Sequence, residues 1–234
     1  MEMIKAGVQN EIVKLLSLNK YKVFLLLAGL LSIATGLLST NVPLTVLAVA
    51  TGFMLPLIIA MAAADLFTAE QENGSIKAIL TRPVARISIF TSKVLAIILY
   101  AILVLLVCLV SSLVWSIVFN KTGLPNIAEI LLAYSVSIIP MLPVILFAVV
   151  ISQLCKNSSS TVMLSILGYI VLFGAGILLP GISPMLFTSY AGWYKMFIGV
   201  AMPAASILNI LALLAAYTLI FFAVSSWAFE KKEY

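Results

Sequence analysis

Long runs of apolar residues constrain this chain more than any other feature. Six of them fall near residues 23–38, 44–64, 94–118, 127–153, 161–179 and 207–228, each followed by turn or polar residues. About 20 apolar residues suffice for a helix to cross the hydrocarbon of a bilayer, so each run reads as one crossing. The expectation is an all-α membrane protein of six spans, a single domain covering 1–234. With 64% of 234 residues apolar and only 9% charged, little chain remains outside the spans for a soluble domain.

The connections carry their own signals. Residues 1–22 are too polar to span, yet Ile4, Val8, Ile12, Leu15 and Leu16 recur at helical spacing. That pattern predicts an amphipathic helix on the membrane surface, with Glu11 falling near the apolar arc. Ser39, Thr40, Asn41 and Pro43 make the first turn tight. Pro140 and Pro143 predict a kink or break in the fourth span. Residues 181–206 hold Pro184, Pro203 and the rings of Phe187, Tyr190, Trp193, Tyr194 and Phe197, which suits a re-entrant or interfacial segment built of one or two short helices.

Basic residues set the orientation. Alternate sides of six spans receive eleven and two of the thirteen Lys and Arg residues, which places both termini and residues 65–93 in the cytoplasm. The same asymmetry accounts for the net charge of +5 through contact with anionic lipid, so no nucleic-acid partner is expected.

Several chemistries lose support. The chain has no histidine, the commonest general base and metal ligand, and Cys108 and Cys155 lack redox or zinc spacing. No span holds an ionisable residue at its centre, since Glu129 and Asp65 lie near span ends, which weakens ion-coupled transport. A phosphate-binding loop is missing too, because no glycine is followed by lysine. We therefore expect neither a catalytic residue, nor a metal, nor a cofactor in this chain. ATP-driven work would have to come from a partner.

Residues 65–93 are the most organised polar stretch. Asp65, Glu70 and Glu72 precede an Asn73-Gly74 turn, Ser75 is a candidate helix cap, and Ile76, Ile79 and Leu80 would share one face of a short helix with Lys77 on another. Arg82, Pro83 and Arg86 follow, Pro83 ending that helix. An amphipathic element tied at both ends to spans suits docking into a groove of a soluble partner, although a solvated loop obeying the orientation rule would look similar.

The order Glu70-x-Glu72-x-Gly74-Ser75-Ile76-Lys77-x-Ile79-Leu80-x-Arg82-Pro83-Val84-x-Arg86, with Lys93 opening the third span, resembles the first cytoplasmic loop of ABC type-2 permeases. The surface helix, six spans and aromatic segment before the last span extend that resemblance along the whole chain. It implies a permease subunit in the bacterial cytoplasmic membrane, paired with an identical or similar permease and with two ATP-binding subunits that carry ATP and Mg²⁺. Glu70 to Arg86 would then include the coupling helix that touches the ATPase. The resemblance also implies export of amphipathic cargo such as peptides, toxins or antibiotics, with Trp115, Tyr134, Pro140 and Pro143 as candidate pathway residues. Two readings compete with it. One is a structural or assembly protein that binds lipid or another membrane subunit without transport; the other, a membrane-embedded enzyme, finds no residues to support it.

Overall fold

The computed structural model describes residues 2–75, 85–119, 126–198 and 204–232. Within them the regular elements are all helical and no strand occurs. Helix α1 covers Glu2–Ser17, and six further helices are long and apolar enough to cross a membrane: α2 Asn19–Leu38, α3 Val42–Glu72, α4 Arg86–Val118, α5 Ile127–Leu154, α6 Ser158–Leu178 and α7 Ala204–Lys231.

The start of α4 meets both chain ends: Ser92 Oγ donates to the carbonyl of Ile4, and Arg86 donates to the carbonyl of Glu230. Both termini therefore lie at one end of the bundle, called here the terminal end. The opposite end is the far end.

Helix α1 packs along α4, so part of its apolar stripe is buried against protein: Leu15 is fully buried, and Ile12 and Leu16 pack on the core. Gly7 permits the close approach, since a Cβ there would lie 2.6 Å from Ser92 Oγ. An extended residue, Leu18, then breaks the chain direction between α1 and α2.

Helix α3 is the most buried of the six, packing on α4, α5 and α6. It runs unbroken past the expected end of the second span at residue 64, and α4 begins at Arg86 rather than near residue 94. The expected polar segment of 65–93 thus shortens to a link over 73–85. Its flanking charges stay helical because each has a partner, as described below. Two π-helical turns, Ala50–Met54 and Ala64–Thr68, interrupt the α geometry of α3. Such turns insert a residue and free a carbonyl, and Tyr169 of α6 donates to the carbonyl of Gly52 at 3.2 Å.

The expected kink in the fourth span appears at Ser137, where α5 divides into Ile127–Val136 and Ile138–Leu154. Pro140 explains the place: its ring opposes the carbonyl four residues earlier, that of Val136. Pro143 is accommodated inside the second piece.

Residues 181–206 differ in part from expectation. Short 3₁₀ helices cover Ser183–Met185 and Phe187–Phe197, and three of the five rings turn into the bundle while Tyr190 and Phe197 are partly buried. Phe187, Trp193 and Tyr194 are buried, and Phe187 packs on Phe147, Tyr217 and Phe221 with ring centroids 5.3–5.8 Å apart. Aromatic pairs gain from such tilted contacts beyond simple burial, which favours closing the far end with rings.

Candidate functional site

The polar residues of the terminal end converge on the two feet of the 73–85 link. Lys93, about two turns into α4, is fully buried, and its ammonium lies 2.7 Å from Glu70 Oε1 and 2.9 Å from Glu11 Oε1. Glu70 also pairs with Lys14 through the same oxygen. One carboxylate of α3 thereby holds both α1 and α4. Burying an ammonium costs several kcal/mol unless carboxylates offset it, and here two do.

A second group sits one helical turn deeper along α3. Asp65 accepts from Lys20 at 2.6–2.7 Å and from the hydroxyl of Tyr21, and Tyr100 of α4 donates to the Tyr21 carbonyl at 2.8 Å. Asp65 is therefore engaged by α2, rather than open to water as its position near a span end suggests. Three carboxylates face three ammonium groups across the two groups, so the site is close to neutral.

The remaining residues at the feet each close another helix. Glu72 Oε2 accepts from the backbone N–H of Ser158 at 3.1 Å and from its hydroxyl at 3.0 Å, capping the start of α6. A carboxylate suits that place because the first N–H groups of a helix lack internal partners and carry partial positive charge. Arg86 donates to the carbonyls of Glu230 and Lys232 at 2.8 and 3.5 Å, closing the last turn of α7. Lys232 in turn donates to Gln71 Oε1 at 2.5 Å and to the Gln153 carbonyl at 2.8 Å. Burial pulls the Lys232 ammonium below its ordinary pKa, an effect that neighbouring Cys155 partly offsets. Below these contacts Thr68 Oγ1 meets Thr161 Oγ1 at 2.8 Å and the Ser152 carbonyl at 3.2 Å, joining α3 to α5 and α6.

Of the residues singled out in the link, Glu70, Glu72 and Arg86 act within the chain in the ways just given. Gly74 takes a φ of +68°, the left-handed conformation that its Asn-Gly turn requires, and Ser75 Oγ donates to the Glu70 carbonyl at 3.4 Å. Ile76, Lys77, Ile79, Leu80, Arg82 and Pro83 lie outside the described residues.

Three of the four candidate pathway residues are buried within the chain. Tyr134 is buried, donating to the Pro43 carbonyl at 3.0 Å, with Ser112 Oγ at 3.3 Å. Pro140 and Pro143 are also buried within the chain. Trp115 is half-buried and stacks on Phe119 at 5.5 Å. The serines of α4 that share this region mostly bond carbonyls of their own preceding turn, as Ser111 and Ser116 do.

Sequence reasoning overlooked Lys14, Lys20, Tyr21, Gln71, Gln153 and Lys232. The available signal was Glu11, an acid beside an apolar arc, which has to face a cation from another element.

Fold and site together define a membrane protein, all-helical among the described residues, in which a polar collar surrounds Glu72 and Arg86 on either side of the 73–85 link. A family model described as a protein of unknown function, DUF2705, matches residues 10–234, and the chain belongs to that family. No curated protein matches it.

Proposed function

We propose that this chain is the permease subunit of an ATP-driven ABC exporter of the type-2 kind. Two such permeases would form a path for amphipathic cargo, membrane-active peptides, toxins or antibiotics, with ATP and Mg²⁺ held by two separate ATP-binding subunits. In this reading both termini and the 73–85 link face the cytoplasm of a bacterial cell, in keeping with the distribution of basic residues.

One observation carries the reading: residues at the two feet of the link reach every other helix but α2. Glu70 holds α1 and α4, Gln71 reaches α5 through Gln153 at 3.4 Å, Glu72 caps α6, and Arg86 closes α7. Asp65, on the same helix, adds α2. A displacement of the link by a partner would therefore reach the whole bundle as a rigid-body motion. Glu70, Glu72 and Arg86 then serve coupling by positioning the link, and the contacts to the ATPase fall to its central residues, Ile76 to Pro83.

Cargo contact is better placed outside the packed interior that holds Tyr134, Pro140 and Pro143. An apolar cleft of about 420 Å³ opens between α3 and α6, lined by residues that include Gly52, Phe53, Pro56, Ile166, Tyr169 and Phe173. Its wall contains the first π turn of α3, where one freed carbonyl already bonds Tyr169.

Affinity purification of the tagged protein from gently solubilised native membranes tests the assignment. The expected result is co-purification of an ATP-binding subunit with vanadate-sensitive hydrolysis in the eluate. A clean complex without any ATPase, from membranes whose other assemblies survive, would favour a structural or assembly protein instead.

A further inference from the structure

We infer that the groove between α2 and α3 is a binding site for a phospholipid with a primary-ammonium headgroup, phosphatidylethanolamine in chemical class. The proposal is independent of the transport role.

Two cavities lie along one pair of antiparallel helices. The upper one, about 280 Å³, sits in the corner made by the break at Leu18 and holds Lys14, Lys20, Asp65 and Glu70, with Asn73 and Ser75 at its rim. The lower one, about 390 Å³ and almost wholly apolar, lies between Phe24, Leu27 and Leu31 of α2 and Val49, Phe53 and Leu57 of α3. Lys20, Phe24, Leu27 and Leu31 recur at helical spacing, so they share one face of α2. Asp65, Leu57 and Val49 descend α3 in the same sense, opposite that face. At 1.5 Å per residue, Leu27 lies about 10 Å below Lys20. A polar pocket with an apolar cleft directly beneath it has the layout of a headgroup above an acyl chain.

The charge pattern selects the headgroup. Lys14 and Lys20 keep about two-fifths of their side chains exposed, at 42% and 40%, while Glu70 and Asp65 lie deeper at 4% and 15%. A phosphate would pair with these two ammonium groups, which line the same cavity. The carboxylates beneath would repel a headgroup of net negative charge, yet they can accept hydrogen bonds from an ammonium. Glu70 has capacity to spare, because its Oε2 is buried and accepts no hydrogen bond from any described residue. Phosphoethanolamine carries both ends, and its ammonium has N–H groups that the quaternary ammonium of phosphocholine lacks. When the headgroup enters, each half of the Lys14–Glu70 and Lys20–Asp65 pairs exchanges or shares its partner, and the number of ion pairs is kept.

A methylation series tests this without disturbing the charge network. Purified full-length protein in mixed micelles is given equimolar phosphatidylethanolamine, its mono- and dimethyl derivatives, phosphatidylcholine and phosphatidylglycerol, all with the same acyl chains, and retained lipid is read by native mass spectrometry. Retention should fall stepwise with methylation, reaching about tenfold between the first lipid and phosphatidylcholine, the size of one charge-assisted hydrogen bond. Equal retention across the series, or preference for phosphatidylglycerol, would overturn the headgroup assignment. Leu27, 46% exposed on the cleft wall, allows a second arm. The L27W variant fills the cleft and should lower retention of every lipid in the series by a similar factor, whereas unchanged retention would overturn the acyl placement.

Discussion

The two ends of the bundle close by opposite means. At the terminal end, carboxylates, ammonium groups and amides of seven helices cross-link one another, with Lys93 at the centre. At the far end, rings do the work: Phe187, Trp193 and Tyr194 fill the space above α5 and α7, while the hydroxyls of Tyr134, Tyr194 and Tyr217 donate to backbone carbonyls. Among the described residues every ion pair belongs to the terminal end. Ring packing has few alternative arrangements of similar energy. Ion pairs and amide contacts can exchange partners as long as each buried charge stays paired, and under the proposed function movement would enter at the terminal end.

Removing a charge from the centre of the collar should have the largest effect. K93M leaves Glu11 and Glu70 buried without their common partner, and a loss of about 3–5 kcal/mol is expected, read as a fall in thermal unfolding temperature in detergent. Adding E11Q and E70Q to K93M should recover much of it, because the orphaned charges go too. At the far end, W193A should cost about 3 kcal/mol through lost packing, and no charge substitution elsewhere should restore it. If a terminal-end substitution did restore it, the two ends would not be separate regions. E72A removes the cap of α6 and should cost about 1 kcal/mol, with faster amide exchange confined to the first turn from Ser158. Y194F loses one long hydrogen bond to the Leu44 carbonyl and should cost about 0.5 kcal/mol, the smallest effect of the series.

The spans were legible because hydrophobic length speaks for itself, and five of the six apolar runs lie wholly within the helices found; only residue 179, at the end of the fifth, falls outside. Helix ends were not, for a physical reason. Asp65, Glu70 and Lys93 look like loop residues until their partners are known, and those partners lie tens of residues away, 45 for Lys20–Asp65 and 82 for Lys93–Glu11. The proline signal in the fourth span found its kink because proline acts on its own preceding turn. In the aromatic segment the sequence did not tell which rings pack inward, since rings at an interface and rings in a core have the same composition; Phe187, Trp193 and Tyr194 are the buried ones. Nor could the burial of Tyr134, Pro140 and Pro143 be read from the sequence, because a polar or helix-breaking residue in a span can serve a path or a packed interior.

The most direct test of the coupling proposal places a photo-crosslinking residue at Ile79, in the centre of the link, and another at Ser183 at the far end, in otherwise native membranes. An ATP-binding protein should be captured from Ile79 and not from Ser183, and its vanadate-sensitive hydrolysis should lose coupling in E72A and R86A while membrane insertion stays intact. Failure to capture any ATP-binding protein from Ile79 or its neighbours across 76–83, with normal insertion, would contradict the proposal.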